Sequence, residues 1–132
     1  MDNNNIKISF DFDGTLDRPA IQNYFKELRS RGYDVWAVTR RYDDLNKHRY
    51  IYNSTNEDLW AVIDSLEHPR EKVMFTNYEY KDSYLKNTHV KIHIDDDPVE
   101  LSKLENNTKI RTINATLNNW TTCFENTLKH FK

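Results

Sequence analysis

The feature that most constrains the fold is a regular alternation of short apolar segments with longer amphipathic stretches. Apolar residues at alternate positions over four to six residues are typical of strands, and spacings of three and four are typical of helices. Strands that alternate with helices form a parallel sheet covered by helices on both faces, with right-handed crossovers. The predicted strands cover residues 6–10, 33–38, 72–75, 90–94 and 109–113. The predicted helices begin at Pro19 and cover 55–66, 81–86, 98–105 and 120–131.

Helix-terminal residues support this division of the chain. Pro19 suits a first helical turn, and Gly32 lies where the first helix should end. Ser54 or Thr55 can cap the second helix. Residues 40–53 are polar and tyrosine-rich, and they are predicted to be a loop. We therefore expect residues 1–132 to form a single Rossmann-like, three-layer α/β domain with a parallel sheet of about five strands.

Composition excludes several classes of protein. Gly14 and Gly32 are the only glycines, so the glycine-rich loops that bind dinucleotides or nucleoside triphosphates are absent. The formal net charge of −2 argues against a protein that coats a polyanion, and the single cysteine, Cys123, excludes an intramolecular disulfide. No apolar run approaches the roughly 20 residues that span a bilayer. With no visible signal peptide, we expect no membrane association and a cytoplasmic location.

Five aspartates follow two of the predicted strands. Asp11 and Asp13 follow the first strand, and Asp95, Asp96 and Asp97 follow the fourth. The carboxyl ends of parallel strands meet at one edge of the sheet, where α/β proteins bind ligands. Acidic groups converging there repel one another unless a cation lies among them, and oxygen ligands without cysteine favour Mg²⁺.

Two further side chains are predicted to lie at the same edge. Thr39 ends the second strand and offers a hydroxyl, and Lys81 lies shortly before the fourth strand and offers an ammonium. Lys86 competes with Lys81, but Lys81 shares a helix face with the apolar Leu85. Carboxylates, Mg²⁺, a hydroxyl and a lysine together are suited to binding a phosphoryl group.

These residues resemble the four motifs of phosphatases of the haloacid dehalogenase (HAD) superfamily. Residues 11–15 read Asp-Phe-Asp-Gly-Thr, which is similar to the first motif, D-x-D-G-T. Thr39 matches the second motif and Lys81 the third. Residues 93–98, His-Ile-Asp-Asp-Asp-Pro, match the fourth, an acidic pair that ends an apolar strand. The motifs occur in the family's order and extend over residues 6 to 98.

The resemblance implies an enzyme, a hydrolase that acts on phosphoric monoesters. Asp11 would be the nucleophile that forms an aspartyl-phosphate, and Asp13 would be the general acid and base. Thr39 and Lys81 would hold the phosphoryl oxygens. Arg40, which follows Thr39 in a loop of cations and tyrosines, is a further candidate phosphate ligand.

The same resemblance implies a set of metal ligands. Mg²⁺ would be bound by Asp11, by the backbone carbonyl of Asp13, and by Asp96 or Asp95. We favour Asp96 as the direct ligand and Asp95 as a residue that supports it. Asp97 is then the expected cap of the following helix, and His93 is expected to be a structural residue of the buried strand.

Spacing between the motifs bears on the substrate. Only 26 positions separate Asp13 from Thr39 and 42 separate Thr39 from Lys81, and the predicted elements fill most of both. We therefore expect no cap domain and an open site. An open site suits a phosphate on a macromolecule, or a small ester if another subunit closes the rim. The loop at 40–50 could contact phosphates and stack on bases, or it could be a solvated polar loop.

Two alternatives to a general phosphatase stay open at this point. One is a phosphatase that acts on nucleotides or polynucleotide ends. The other is a phosphate-binding regulatory module with the same fold and no turnover.

Overall fold

The computed structural model of the chain describes residues 6–46 and 55–132. Its five strands form one sheet in which every neighbouring pair is parallel, and this confirms the predicted α/β class. The strands are β1 (Lys7–Asp11), β2 (Asp34–Thr39), β3 (Val73–Phe75), β4 (Val90–Asp95) and β5 (Arg111–Asn114). Their spatial order is β3-β2-β1-β4-β5.

In the described part of the chain, five α-helices alternate with these strands. They are α1 (Pro19–Ser30), α2 (Glu57–Ser65), α3 (Lys81–Leu85), α4 (Pro98–Asn107) and α5 (Trp120–Leu128). Pro19 and Pro98 occupy first turns, where a missing backbone N–H costs nothing. Gly32 has a φ of 95° just beyond α1, a conformation that glycine adopts without the Cβ penalty. Within residues 6–46 and 55–132, the predicted alternation of strands and helices in one Rossmann-like fold is confirmed.

One helix boundary differs from the sequence-based expectation, and another agrees with it. The N-cap residue of α2 is Asn56, so Thr55 lies outside the helix, and Ser54 is outside the described residues. The Asn56 amide donates to Tyr42 O and to Asp44 Oδ1, which ties the start of α2 to the chain that leaves β2. The predicted cap of α4 is confirmed, because Asp97 Oδ1 accepts a hydrogen bond from the backbone N–H of Val99.

The two faces of the sheet pack against different helices. Ile8 and Phe10 of β1 belong to the larger apolar cluster, which also holds the inner residues of α1, α2 and α5. Val38 of β2 belongs to a smaller cluster with Leu85 of α3 and Leu104 of α4. Side chains along a strand point alternately to the two faces. Both faces are therefore covered, as the apolar segments predicted.

The strand order brings β1 beside β4 at the centre of the sheet. From β1 the chain adds β2 and then β3 on one side of the sheet, and it then crosses to the other side of β1 to add β4 and β5. This reversal is the topological switch point where α/β sheets bind ligands. It puts Asp11, at the end of β1, beside the end of β4. Within residues 6–46 and 55–132, no helix is long and apolar enough to cross a membrane.

Candidate functional site

The chain leaves β1 through an irregular helical turn at Phe12–Leu16. Gly14 in this turn has a φ of 82°, in the left-handed region that favours glycine. The absence of a side chain there leaves room for Asp96, because a Cβ at Gly14 would lie only 2.1 Å from Asp96 Oδ2. The Asp-x-Asp-Gly segment and the acidic segment after β4 are thus in direct contact.

Lys81 begins α3 and reaches into the sheet edge. Its Nζ lies 2.6 Å from Asp11 Oδ1 and 2.7 Å from Asp95 Oδ2, and all three side chains are buried. Its backbone N–H donates to Glu100 Oε1 of α4, which anchors the start of α3. Lys86, the competing lysine, is exposed. Of the two lysines, the structure brings Lys81 to the acidic cluster.

A buried hydrogen-bonded chain supports the cluster from within the sheet. Ser9 and His93 are register partners on β1 and β4, and Ser9 Oγ lies 2.7 Å from His93 Nδ1. His93 Nε2 lies 2.7 Å from Asp95 Oδ2. A carboxylate can only accept, so Nε2 carries the proton and Nδ1 accepts from the serine hydroxyl. The other Asp95 oxygen, Oδ1, accepts from the backbone N–H of Asp97.

Burial and nearby charges shift the pKa values of the buried acids, the histidine and the lysine in different directions. Burial raises the pKa of Asp11 well above its usual range; Lys81 opposes this and Asp95 adds to it. Burial would also raise the pKa of Asp95, but the hydrogen bonds from His93 and Lys81 and the charge of Lys81 outweigh it and lower the pKa. Burial lowers the pKa of His93, which therefore stays neutral. The pKa of Lys81 is raised by both carboxylates against the effect of burial.

Three carboxylates at this edge fit a divalent cation. Oxygens of Asp11, Asp95 and Asp96 lie within 4.8 Å of one another. The only cation in hydrogen-bonding contact with this trio, among the described residues, is Lys81, so the three carboxylates in their ionised form carry two uncompensated negative charges. Both Asp95 oxygens already accept hydrogen bonds. Asp96 is less buried and lies against Gly14, which suits it better to direct coordination.

Asp13 lies on the outer side of the turn and is exposed. Arg41 donates two hydrogen bonds to the Asp13 carboxylate, from Nε to Oδ2 at 3.1 Å and from Nη2 to Oδ1 at 2.7 Å. The same guanidinium donates twice to Asp58 on α2, at 2.8 Å each. Thr39 Oγ1 lies 3.5 Å from Asp13 Oδ2 and accepts from the Arg41 backbone N–H. The structure thus brings together Asp13 and Thr39, with Arg41 between Asp13 and α2.

Arg40 has different neighbours. It donates from Nη2 to the backbone carbonyl of Tyr78 at 2.8 Å, and its Nε lies 3.8 Å from Glu100 Oε2. Its guanidinium also lies over the Tyr80 ring, 4.4 Å from the ring centroid. These contacts direct the Arg40 side chain toward α3 and α4, whereas its neighbour Arg41 contacts Asp13.

Sequence reasoning missed Arg41, Thr15 and the role of the serine–histidine pair. Arg41 could have been found from the period of two along a strand, since it is two residues after Thr39 and Arg40 is only one after it. Thr15 Oγ1 donates to Asp11 Oδ2 at 3.1 Å, and the family-like motif already contained this residue. No local signal pairs Ser9 with His93, which are 84 positions apart.

Two sequence-based expectations extend beyond the described residues. The basic and tyrosine-rich loop was predicted over 40–53, and its residues 47–53 lie outside the part of the chain that the structure describes. Residues 1–5, from which we expected no signal peptide, lie outside it too. Between Thr39 and Lys81 the described residues form α2, a short 3-10 turn and β3.

No protein-family model matches the chain, and no curated protein or solved structure matches it either. The likeness to haloacid dehalogenase phosphatases therefore depends on the four motifs and on the geometry of their residues.

Proposed function

We propose that this protein is a Mg²⁺-dependent phosphatase of the haloacid dehalogenase type, which hydrolyses phosphomonoesters through an aspartyl-phosphate on Asp11. One observation supports the proposal above all. Lys81 Nζ lies between Asp11 and Asp95 at the switch point of the sheet, with Asp96 beside them. Three acids and one base there form an anionic site that a dication and a phosphoryl group would complete.

In the first step, an Asp11 oxygen attacks phosphorus and the bond from phosphorus to the ester oxygen breaks. Asp13 donates a proton to the departing oxygen, so that an alcohol leaves. Thr39 and Lys81 bind the equatorial phosphoryl oxygens, where negative charge accumulates. The product of this step is a covalent aspartyl-phosphate and a free alcohol.

In the second step, water attacks the phosphorus of the aspartyl-phosphate. The Asp13 carboxylate takes a proton from that water, the bond between Asp11 and phosphorus breaks, and inorganic phosphate leaves. Both oxygens of Asp13 accept hydrogen bonds from Arg41. The acid role in the first step requires this pair to open.

Asp11, Asp96 and the backbone carbonyl of Asp13 would hold the metal, with Asp95 positioned by His93 and Lys81 to support them. Mg²⁺ bound there would offset the charge of the carboxylates and of the phosphoryl group. Burial raises the pKa of Asp11, so a nearby dication also favours the ionised form that a nucleophile needs.

The test is turnover of an aryl phosphate such as p-nitrophenyl phosphate. We expect Mg²⁺-dependent release of phosphate that chelation abolishes, and a loss of at least about 1000-fold in Asp11→Asn. Asp64→Asn is the matched control, because Asp64 is an exposed aspartate on α2 that pairs with Arg70 and not with the residues of the candidate site. Undiminished turnover in Asp11→Asn would exclude the covalent mechanism.

A phosphate-binding module without turnover is the second candidate. The observation that favours it is the pair of hydrogen bonds from Arg41 to Asp13, which occupies both oxygens of the proposed acid. If calorimetry detects Mg²⁺-dependent binding of phosphate while no aryl, sugar or nucleotide ester is hydrolysed, this candidate replaces the phosphatase.

A further inference from the structure

We propose that a surface beside the candidate site binds the base of a phosphorylated nucleotide. This tyrosine surface consists of Tyr42, Tyr78 and Tyr80 with the cations Arg40 and Lys103. The inference deepens the proposed function by naming its substrate class, and it relies on that function only for where the phosphate binds.

The turn after β3 holds Tyr78 at the surface in a costly conformation. Asn77 and Tyr78 have φ values of 53° and 74°, which bulky residues rarely adopt. Hydrogen bonds to the chain after β2 hold the turn, from Tyr78 N to Arg40 O at 2.6 Å and from Asn77 N to Arg41 O at 3.2 Å. The Tyr78 side chain is nevertheless 46% exposed. A strained turn that holds a half-exposed aromatic ring at the surface points to a binding role.

Aromatic rings and cations are interleaved on this surface. The rings of Tyr42 and Tyr78 lie 5.2 Å apart between centroids and are tilted by 33°. The Tyr80 ring, which is 40% exposed, has both Arg40 and Lys103 at 4.4 Å from its centroid. Stacked or tilted rings offer flat area to a base, and the cations attract the phosphates that accompany it.

The tyrosine surface is connected to the proposed phosphate site through two peptide bonds and through Glu100. Arg40 directly follows Thr39, and Tyr80 directly precedes Lys81. Glu100 joins the two, since its Oε1 accepts from the Lys81 backbone N–H and its Oε2 lies 3.8 Å from Arg40 Nε. In this proposal, the remaining part of a ligand whose phosphate lies at Thr39 and Lys81 lies on the tyrosine surface.

A nucleotide fits this surface better than the other phosphate esters. A sugar phosphate has no flat ring to stack, and a phosphopeptide has one only if an aromatic residue happens to be adjacent. Every base has a π face, and a strand end adds phosphates for Arg40 and Lys103. The shared ligand chemistry is a nucleoside monophosphate unit, either free or at the end of a single strand.

The experiment is calorimetric titration of the Asp11→Asn variant, which keeps the tyrosine surface and prevents turnover. Adenosine 5′-monophosphate and ribose 5-phosphate are compared with Mg²⁺ present, since they differ only in the base. We expect the nucleotide to bind about tenfold more tightly, the effect of one stacked base. Tyr78→Ala in the same background should remove most of this ratio, and Tyr78→Phe should restore it.

Tyr84→Ala is the matched control, because Tyr84 is a tyrosine of similar exposure, 41%, on α3. It should keep the wild-type ratio of the two affinities. Far-ultraviolet circular dichroism establishes that each variant is folded. Should Tyr78→Ala not fold, the comparison of nucleotide with ribose phosphate in the Tyr78-containing protein still decides the inference.

Further arms of the titration distinguish the sources of the nucleotide and the competing ligand class. Short single strands with a 5′- or a 3′-terminal phosphate bind more tightly than the free nucleotide if strand ends are the ligand, and Lys103→Ala then reduces that gain and its salt dependence. The inference is overturned if the nucleotide and ribose phosphate bind with equal affinity, or if Tyr78→Ala leaves the ratio of these two affinities unchanged. It is also overturned if a phosphoserine peptide binds more tightly than the nucleotide, or if no nucleotide binds at millimolar concentration. Turnover by the wild-type chain is measured separately. The binding comparison can therefore be interpreted even if the phosphatase proposal fails.

Discussion

Gly14 has a hydrogen atom where any other residue would place a carbon against Asp96. Gly14→Ala would put a Cβ 2.1 Å from Asp96 Oδ2, at a φ of 82° that an alanine adopts at a cost of about 1–3 kcal/mol. We expect a loss of unfolding free energy of that size in urea titrations, and weaker Mg²⁺ binding by calorimetry because Asp96 is displaced.

Gly32→Ala is the control for this substitution, because Gly32 also has a positive φ, 95°, but lies at the end of α1. It should lose stability and keep its Mg²⁺ affinity. Unchanged Mg²⁺ affinity in Gly14→Ala would mean that the position of Asp96 does not matter for the metal.

Lys81 is the buried cation that separates two buried carboxylates. In Lys81→Met, Asp11 and Asp95 would face each other with no opposing charge, and breaking a buried ion pair by removing one partner typically costs about 3–5 kcal/mol. We expect a loss of this size in the unfolding free energy, measured by urea titration without divalent cations. Lys86→Met, at the exposed lysine of the same segment, should stay within about 0.5 kcal/mol of wild type. Equal effects of the two substitutions would contradict the buried ion pair.

At the scale of elements, His68 joins α1 to the segment that leads into β3. Its Nε2–H donates to Lys72 O at 3.2 Å, and its ring packs edge-on against Phe25 with centroids 4.9 Å apart. Arg29 lies 3.5 Å from Nδ1, where it can only donate. Burial lowers the pKa of His68, and the nearby cations Arg29 and Lys72 lower it further while Asp34 opposes them. The folded protein therefore holds this histidine neutral.

This junction predicts a pH-dependent stability. Below a pH of about 6.5 the unfolded chain binds a proton at His68 that the folded chain does not, so acidification favours unfolding. The unfolding free energy should fall as the pH drops through that region, by at most about 1.4 kcal/mol per pH unit for this group. His68→Gln should flatten the curve between pH 7 and 5 in urea titrations. Identical slopes for the variant and the wild type would assign the pH dependence to other groups.

Arg41 shows how one side chain can connect three elements. It binds Asp13 in the turn after β1 and Asp58 on α2, and it follows β2 directly. Both basic residues after Thr39 carry the same charge, so composition cannot choose between them. The strand direction decides, because Arg41 continues along the Thr39 side of β2 and Arg40 turns toward α4.

At the scale of the whole molecule, Mg²⁺ should stabilise the fold. A ligand that binds only the folded state adds about 2.7 kcal/mol to the unfolding free energy at 100 times its dissociation constant. For a domain of this size we expect a rise in melting temperature of about 10 °C. Differential scanning calorimetry at constant ionic strength measures it. Asp96→Asn should abolish the shift and Asp64→Asn should keep it; a full shift in Asp96→Asn would place the metal elsewhere.

The order of elements could be predicted almost residue by residue. The observed strands begin and end within two residues of the predicted ones, and α1 and α4 begin at the expected prolines. These features depend on local properties, namely side-chain periodicity, proline geometry and capping oxygens. The prediction was wrong at the start of α2, where the N-cap residue is Asn56 and not Thr55. Hydrogen bonds from the Asn56 amide to residues 42 and 44 hold Asn56 in that position.

Sequence alone placed five aspartates, Thr39 and a lysine at one edge of the sheet, because parallel strands all end on the same side. The tertiary structure decided which of these side chains form hydrogen bonds and ion pairs with one another. Lys81 lies 70 positions from Asp11 in the chain and 2.6 Å from it in space, and Arg41 rather than Arg40 holds Asp13. Hydrogen bonds and charge interactions depend on distance and burial, and both are known only when β1 lies beside β4 and the helices cover them.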